Sequence, residues 1–345
     1  MPTQLIRFLV PGTSRRFRCG GLSVELQTAR LVSGCCPTEV VTYRERSLDH
    51  DYLDDLLLKE GVRQEVLWIV SWGFDVPRLI RRLSGHRVAY HAHSSGYGFA
   101  LPEGVPVLAV SRNTLGYWGD RSPRNPLFLV PNALEQQWID RGARQSRQHR
   151  PIDVLVQARK SSDYVLTQVV PALRRQSLTV EIQSGWVDDL VGLFNQAKVV
   201  LYDSAEYWRG RGVSEGFGLP PLEAMACGCV VFTSLNHALA DHCDPAGMVH
   251  QIGCGRLSWD VTRLVQAVAE PESWRPDAGR LEQLLLESGE TALRQRWASA
   301  LAALDGLEQS PGPWLRSAPT WQLRFRQGCQ RLMRVVERLP GWPKG

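Results

Sequence analysis

The chain has 345 residues, 43% of them hydrophobic and 22% charged, with a formal net charge of +5. That length suits two domains rather than one core, and the composition excludes disordered, fibrous and small disulfide-framed proteins. The mildly basic balance suits phosphates or an anionic surface and gives no argument for nucleic acid.

In chain order, short apolar runs at 5–10, 39–43, 66–70, 88–90, 107–110 and 127–130 read as strands buried on both faces. Helical patterns such as 52–59 and 76–83 fit between them. The polar stretch 140–150 (DRGARQSRQHR) interrupts the pattern, and Pro151 ends it. Strands resume at 154–157, 178–182, 199–202, 230–232 and 247–250. Alternating strands and helices imply parallel α/β units, so we expect two doubly wound domains facing across a cleft, with ligands at the carboxyl ends of the strands. The expected division is 1–145, 146–305 and a helical tail, 306–345. In that tail Phe325, Cys329, Leu332, Val336 and Leu339 make an apolar stripe among arginines over 320–339. Such a helix suits both packing on the protein and peripheral contact with an anionic membrane. The N-terminus shows no apolar signal core and no run approaches a membrane span, so the expected location is the cytoplasm.

Eight cysteines include no CxxC pair. Cys227, Cys229, His237, His242 and Cys243 match no standard metal spacing and read as buried structural groups. Asp49-His50-Asp51 reads as a cap for the helix that follows, so no metal is expected.

Residues 213–234 read VSEGFGLPPLEAMACGCVVFTS: a glycine-containing loop, a helix and a buried strand. Gly216 and Gly218 allow close backbone approach, Pro220 and Pro221 fit a first helical turn, and Gly228 is placed to end the helix. The N–H groups of residues 216–219 offer an anion site at a helix start. Glu215 and Glu223 frame it; a carboxylate can accept two hydrogen bonds side by side from a vicinal diol. Taken alone, the two glutamates could equally serve the helix N-terminus electrostatically.

The string EGFGLPPLEAMACG resembles the E-x7-E signature of retaining family-4 glycosyltransferases, which have the GT-B fold. The resemblance implies a nucleoside-diphosphate sugar as donor, no further cofactor, metal-independent chemistry and a glycan or lipid-linked acceptor, as in polysaccharide biosynthesis. It assigns the transferred sugar to Glu215, the ribose to Glu223, and sugar and phosphate contacts to the backbone of Gly216, Phe217, Gly218 and Leu219. Val130-Pro131-Asn132 and the strand 106–111 fall in register with such enzymes, as do Gly20-Gly21, in a loop after the first strand and bordering the cleft. His93, following a strand in AYHAHSSG, matches a histidine near the reaction centre. Where the family shows an arginine and, five residues on, a lysine gripping the diphosphate, this chain has Arg159 but Tyr164; Lys160 is the available substitute. A nucleotide-sugar isomerase and a non-catalytic sugar-nucleotide-binding partner protein are the alternative readings.

Overall fold

The structure, a computed structural model, describes residues 2–71, 73–144, 149–253, 256–307 and 325. Six parallel strands form the first sheet: β1 (Leu5–Val10), β2 (Thr38–Thr42), β3 (Val66–Val70), β4 (Arg87–Ala92), β5 (Val107–Ala109) and β6 (Leu127–Leu129), in the order β2-β1-β3-β4-β5-β6. Five more form the second: β7 (Ile152–Gln157), β8 (Val180–Gln183), β9 (Ala197–Tyr202), β10 (Val230–Thr233) and β11 (His250–Gln251), in the order β11-β10-β9-β7-β8. The central strand β3, VLWIV, is wholly apolar and sealed on both faces. Parallel pairing demands crossovers, and helices supply them. In the first half these are α1 (Gly20–Val32), α2 (Leu53–Glu60), α3 (Val76–Arg82) and α4 (Arg112–Arg121). Then come α5 (Gln136–Arg141), α6 (Val170–Arg175), α7 (Leu190–Asn195), α8 (Ala205–Arg209), α9 (Leu219–Ala226), α10 (Leu257–Ala269), α11 (Ala278–Glu287) and α12 (Glu290–Asp305).

Every expected strand is present, with ends shifted by no more than a few residues. The expected division of the chain is corrected at both ends of the second half. Leu134 and Trp138 already pack in the second core, with Leu155, Phe194 and Leu222. At the far end α12, which its position in the chain grouped with the second sheet, returns to the first. Its Leu293, Trp297, Ala300, Leu301 and Leu304 pack against Ile6, Phe8, Leu31 and Leu67. Asp305 accepts from the Thr3 backbone N–H at 3.0 Å and pairs with Arg87 at 3.0 Å, so the two ends of this unit are tied together. The chain thus crosses between sheets twice, and the crossings touch, because Leu134 N–H donates to the Ser288 carbonyl at 2.8 Å.

Asp51 does not cap α2. Tyr52 occupies that position with no side-chain cap bond, and Asp54 and Asp55 provide the negative charge in the first turn instead. Among the described residues no helix is long and apolar enough to cross a membrane. The tail helix expected over 320–339 lies outside the described residues, Phe325 apart.

Trp297 has no exposed surface and its ring lies 5.6 Å from that of Phe8. Trp297→Ala should therefore cost about 3–5 kcal/mol in urea unfolding of the first domain, as for other buried aromatic truncations. A loss under 1 kcal/mol would show that α12 is not part of that core.

Candidate functional site

The two halves meet through close backbone contacts, with side chains such as Arg112, paired with Asp241, beside them. A side chain on Gly216 would collide with the carbonyl oxygen of His93, and one on Gly96 with the carbonyl oxygen of Gly212. Gly96 sits at φ +90°, which glycine adopts without cost. Beside these contacts Ser214 N–H donates to the Ser95 carbonyl at 3.2 Å, and the two serine hydroxyls lie 2.7 Å apart. Asn113 Nδ2 donates to Ser214 Oγ at 3.2 Å, and the Arg112 N–H donates to Asp241 at 2.8 Å. The loop after β4 is thereby pressed onto the loop that carries Glu215.

Glu215 is buried, and three donors converge on its carboxylate. Tyr202 Oη and Trp208 Nε1 donate to Oε2, each at 2.7 Å, while Lys160 Nζ donates to Oε1 at 3.1 Å. Lys160 also reaches Tyr202 Oη at 3.0 Å and stands 5.0 Å from the centre of the Trp208 ring, a cation–π position. Burial, with the Glu215 charge beside it, raises the Tyr202 phenol well above its ordinary range. Lys160, expected to stand in for a later lysine, lies beside Glu215. Tyr164 turns away and donates to Asp260 at 2.7 Å. Arg159 shares a short turn with Lys160, is exposed, and has no ion pair among the described residues.

Past Glu215 the chain enters α9 as its sequence dictates. Gly218, at φ +82°, is the N-cap, the prolines occupy the first turn, and Gly228, at φ +72°, follows the helix end. The N–H groups of residues 216–219 find no acceptor among the described residues, which leaves them for a ligand. The Gly218 carbonyl is held by a hydrogen bond from buried His242 Nε2 at 3.0 Å. Phe217 points its side chain into the core, 4.7 Å from the His242 ring, so only its backbone faces the loop. Gly216 is required for packing against His93 more than for approach to a ligand. Glu223, one turn into α9, is half-buried yet enclosed by protein. Burial, helped by the charge of Glu135 and opposed by Lys160, pushes its carboxyl up to about 8.

Gly20 and Gly21 are not in a loop: they open α1, exposed, with no other part of the protein crowding them. The residue the sequence hid is Glu25, one turn further along α1 and fully buried. Its Oε2 lies 2.7 Å from His91 Nδ1 and 2.7 Å from His93 Nε2. Nothing in the local pattern marks Glu25 except its place on an apolar helix face, where a carboxylate is out of character. Cys227, Cys229 and Cys243 are buried core thiols, and Cys229 is pushed up to about 11 by burial.

Cavities of about 590 Å³ between β6 and α12, and of about 230 Å³ beyond the ends of β10 and β11, include neither Glu215 nor Glu223. The candidate site is therefore described by its hydrogen-bond geometry rather than by a cavity.

Residues 180–243, which contain both glutamates, match the family model described as Glycosyl transferases group 1. No curated protein sequence matches the chain. In structure the chain is similar to a sucrose-phosphate synthase from Thermosynechococcus elongatus, at 16% identity over 88% of this chain and 99% of that one, with a TM-score of 0.61. It is also similar to Anabaena HepE in complex with UDP and glucose, at 12% identity over 87% and 100%, with a TM-score of 0.61. A third similar structure is the pneumococcal O-GlcNAc transferase GtfA in complex with UDP and GlcNAc, at 11% identity over 72% and 59%, with a TM-score of 0.52. The fold is GT-B. At these identities the likeness shows the architecture, and the match over 180–243 adds a glycosyltransferase group 1 segment to it.

The raised Glu223 carboxyl has a direct consequence for stability. Its folded-state value of about 8, against 4.5 ordinarily, means that the folded chain holds this proton more tightly than the unfolded chain. The resulting stabilisation is complete below about pH 4.5 and is lost as pH rises through 8. The urea midpoint of Glu223→Gln should therefore gain on that of the unsubstituted protein between pH 5 and pH 8.5. Parallel curves for the two proteins would show that the carboxyl is not shifted.

Proposed function

We propose that the protein transfers a sugar from a nucleoside-diphosphate sugar to a glycan or lipid-linked glycan, with retention at the anomeric carbon. The observation that carries this reading is the pair Glu215 and Glu223 on either side of a loop of free N–H groups at the start of α9, inside the matched segment. HepE and GtfA, each solved with UDP and a sugar, support the donor class. Glu215 takes the hydroxyls of the transferred sugar and Glu223 the ribose. The bond between the anomeric carbon and the diphosphate oxygen breaks, and a bond to the acceptor oxygen forms on the same face. The acceptor's proton passes to the departing diphosphate, so no enzyme nucleophile enters. Arg159, Lys160 and the N–H groups of residues 216–219 meet the negative charge that grows on the leaving group. His93 stands at the reaction centre, and Gly20 and Gly21 line the opposite wall, where the absence of side chains lets the donor phosphates or the acceptor approach. The reaction belongs to polysaccharide assembly in the cytoplasm.

The test is a panel of UDP-, GDP-, ADP- and dTDP-sugars with the purified protein. Slow release of free nucleoside diphosphate from one of them is the expected result. Conversion to an isomeric sugar nucleotide, or binding without turnover, would overturn the reading. With the active donor, Glu215→Ala should lower kcat by about 10²-fold, the scale of losing one group aimed at the reacting centre. Glu223→Ala should chiefly raise the donor KM, by roughly 10-fold near pH 7, the equivalent of a lost hydrogen bond to a largely neutral carboxyl. Unchanged kinetics in both folded variants would remove these residues from the site.

A further inference from the structure

Glu25 lies 66 residues from His91 and 68 from His93, so no spacing rule could join them; α1 and β4 do. Both imidazoles address one oxygen of one carboxylate, and the rings stand 4.2 Å apart. The arrangement leaves two buried atoms without a hydrogen-bond partner, Oε1 of Glu25 and Nε2 of His91. No lysine or arginine pairs with Glu25 among the described residues. Oε1 of Glu25 is thus a buried carboxylate oxygen that no donor in the protein reaches, and buried polar atoms of this kind are normally satisfied by a partner, a water or an ion.

We propose that Glu25, His91 and His93 form a binding site for a divalent transition-metal ion of the zinc class, open to the cleft through His93. One ligand atom from each residue falls within 4.8 Å of the others, which small rotations can close around an ion about 2.1 Å from each. Two imidazoles and one carboxylate select Zn²⁺, Co²⁺ or Ni²⁺ over Mg²⁺ or Ca²⁺, which prefer all-oxygen shells. Glu25 and His91 are sealed in the core, whereas His93 is partly exposed, so three protein ligands leave a coordination position on the cleft side. When the ion takes Nδ1 of His91, the ring's proton moves to Nε2. The Trp297 ring stands edge-to-face with His91 at 5.3 Å and gives an N–H there an aromatic neighbour. Held by the carboxylate, the ion would give the orphaned Oε1 a partner. The site does not depend on glycosyl transfer and stands if that reading falls.

The test uses the full-length, tag-free protein, stripped with chelator and titrated with Co²⁺ and with Zn²⁺. One equivalent of Co²⁺ should be retained through gel filtration, with visible ligand-field absorption that Zn²⁺ abolishes. Zn²⁺ should also raise the thermal midpoint. His93→Ala, a change at the least buried ligand, should fold normally and bind Co²⁺ at least about 10-fold more weakly. Three results would each overturn the proposal: no retained Co²⁺, equal uptake by the variant, or an equal thermal shift with Mg²⁺. A doubly protonated His93 imidazole at neutral pH in nitrogen NMR of the metal-loaded protein would do the same, because a coordinated ring nitrogen carries no proton.

Discussion

The contact on which the cleft depends is one of backbone on backbone. Gly216 lies against the His93 carbonyl and Gly96 against the Gly212 carbonyl, and at neither place is there room for a Cβ atom. Loops that approach this closely leave little freedom in how the two sheets face each other. They also set the distance between the carboxylates on the second domain and the histidines on the first. Hydrogen bonds among Ser95, Ser214 and Asn113 then fix the sideways register of the same contact.

Within that frame Glu215 is an unusual group for binding a sugar, because its acceptor capacity is largely taken. Tyr202 and Trp208 occupy Oε2, and Lys160 occupies Oε1. In the proposed reaction the diphosphate competes with Glu215 for Lys160, so arrival of the donor's charged end frees the oxygen that the sugar requires. Tyr202 and Trp208 keep the carboxylate from swinging when the lysine leaves. Recognition of phosphate and of sugar is thus linked through one ammonium group.

The sequence disclosed the fold through runs such as LIRFLV and VLWIV, whose composition fits only a strand covered on both sides. It disclosed the loop, helix and strand of the candidate site in the second domain because the glycines, prolines and glutamates of residues 213–228 are contiguous, so local rules govern them together. It failed where chain neighbours are not neighbours in space. Glu25 looked like one more helix residue, because its meaning comes from His91 and His93 on a strand reached much later. Asp51 looked like a cap, but the chain enters α2 one residue further on, through Tyr52. The sequence position of α12 assigned it to the wrong sheet, because its apolar face carries no mark of which core it fills. Trp208 had no signal at all, since an indole N–H becomes informative only beside the carboxylate it serves.

The return of α12 bears on how the molecule is made. The first sheet is synthesised early, yet Phe8, Leu31 and Leu67 remain uncovered on one side until Trp297 and Leu301 have left the ribosome. In many multidomain chains the N-terminal unit folds first, but here that unit cannot complete its core until its last helix has been made. The second sheet has all its strands and can close while the first still waits for its last helix. A nascent chain halted anywhere before residue 290 therefore exposes a strip of the first domain's interior, and it is at this stage that the protein most needs a chaperone.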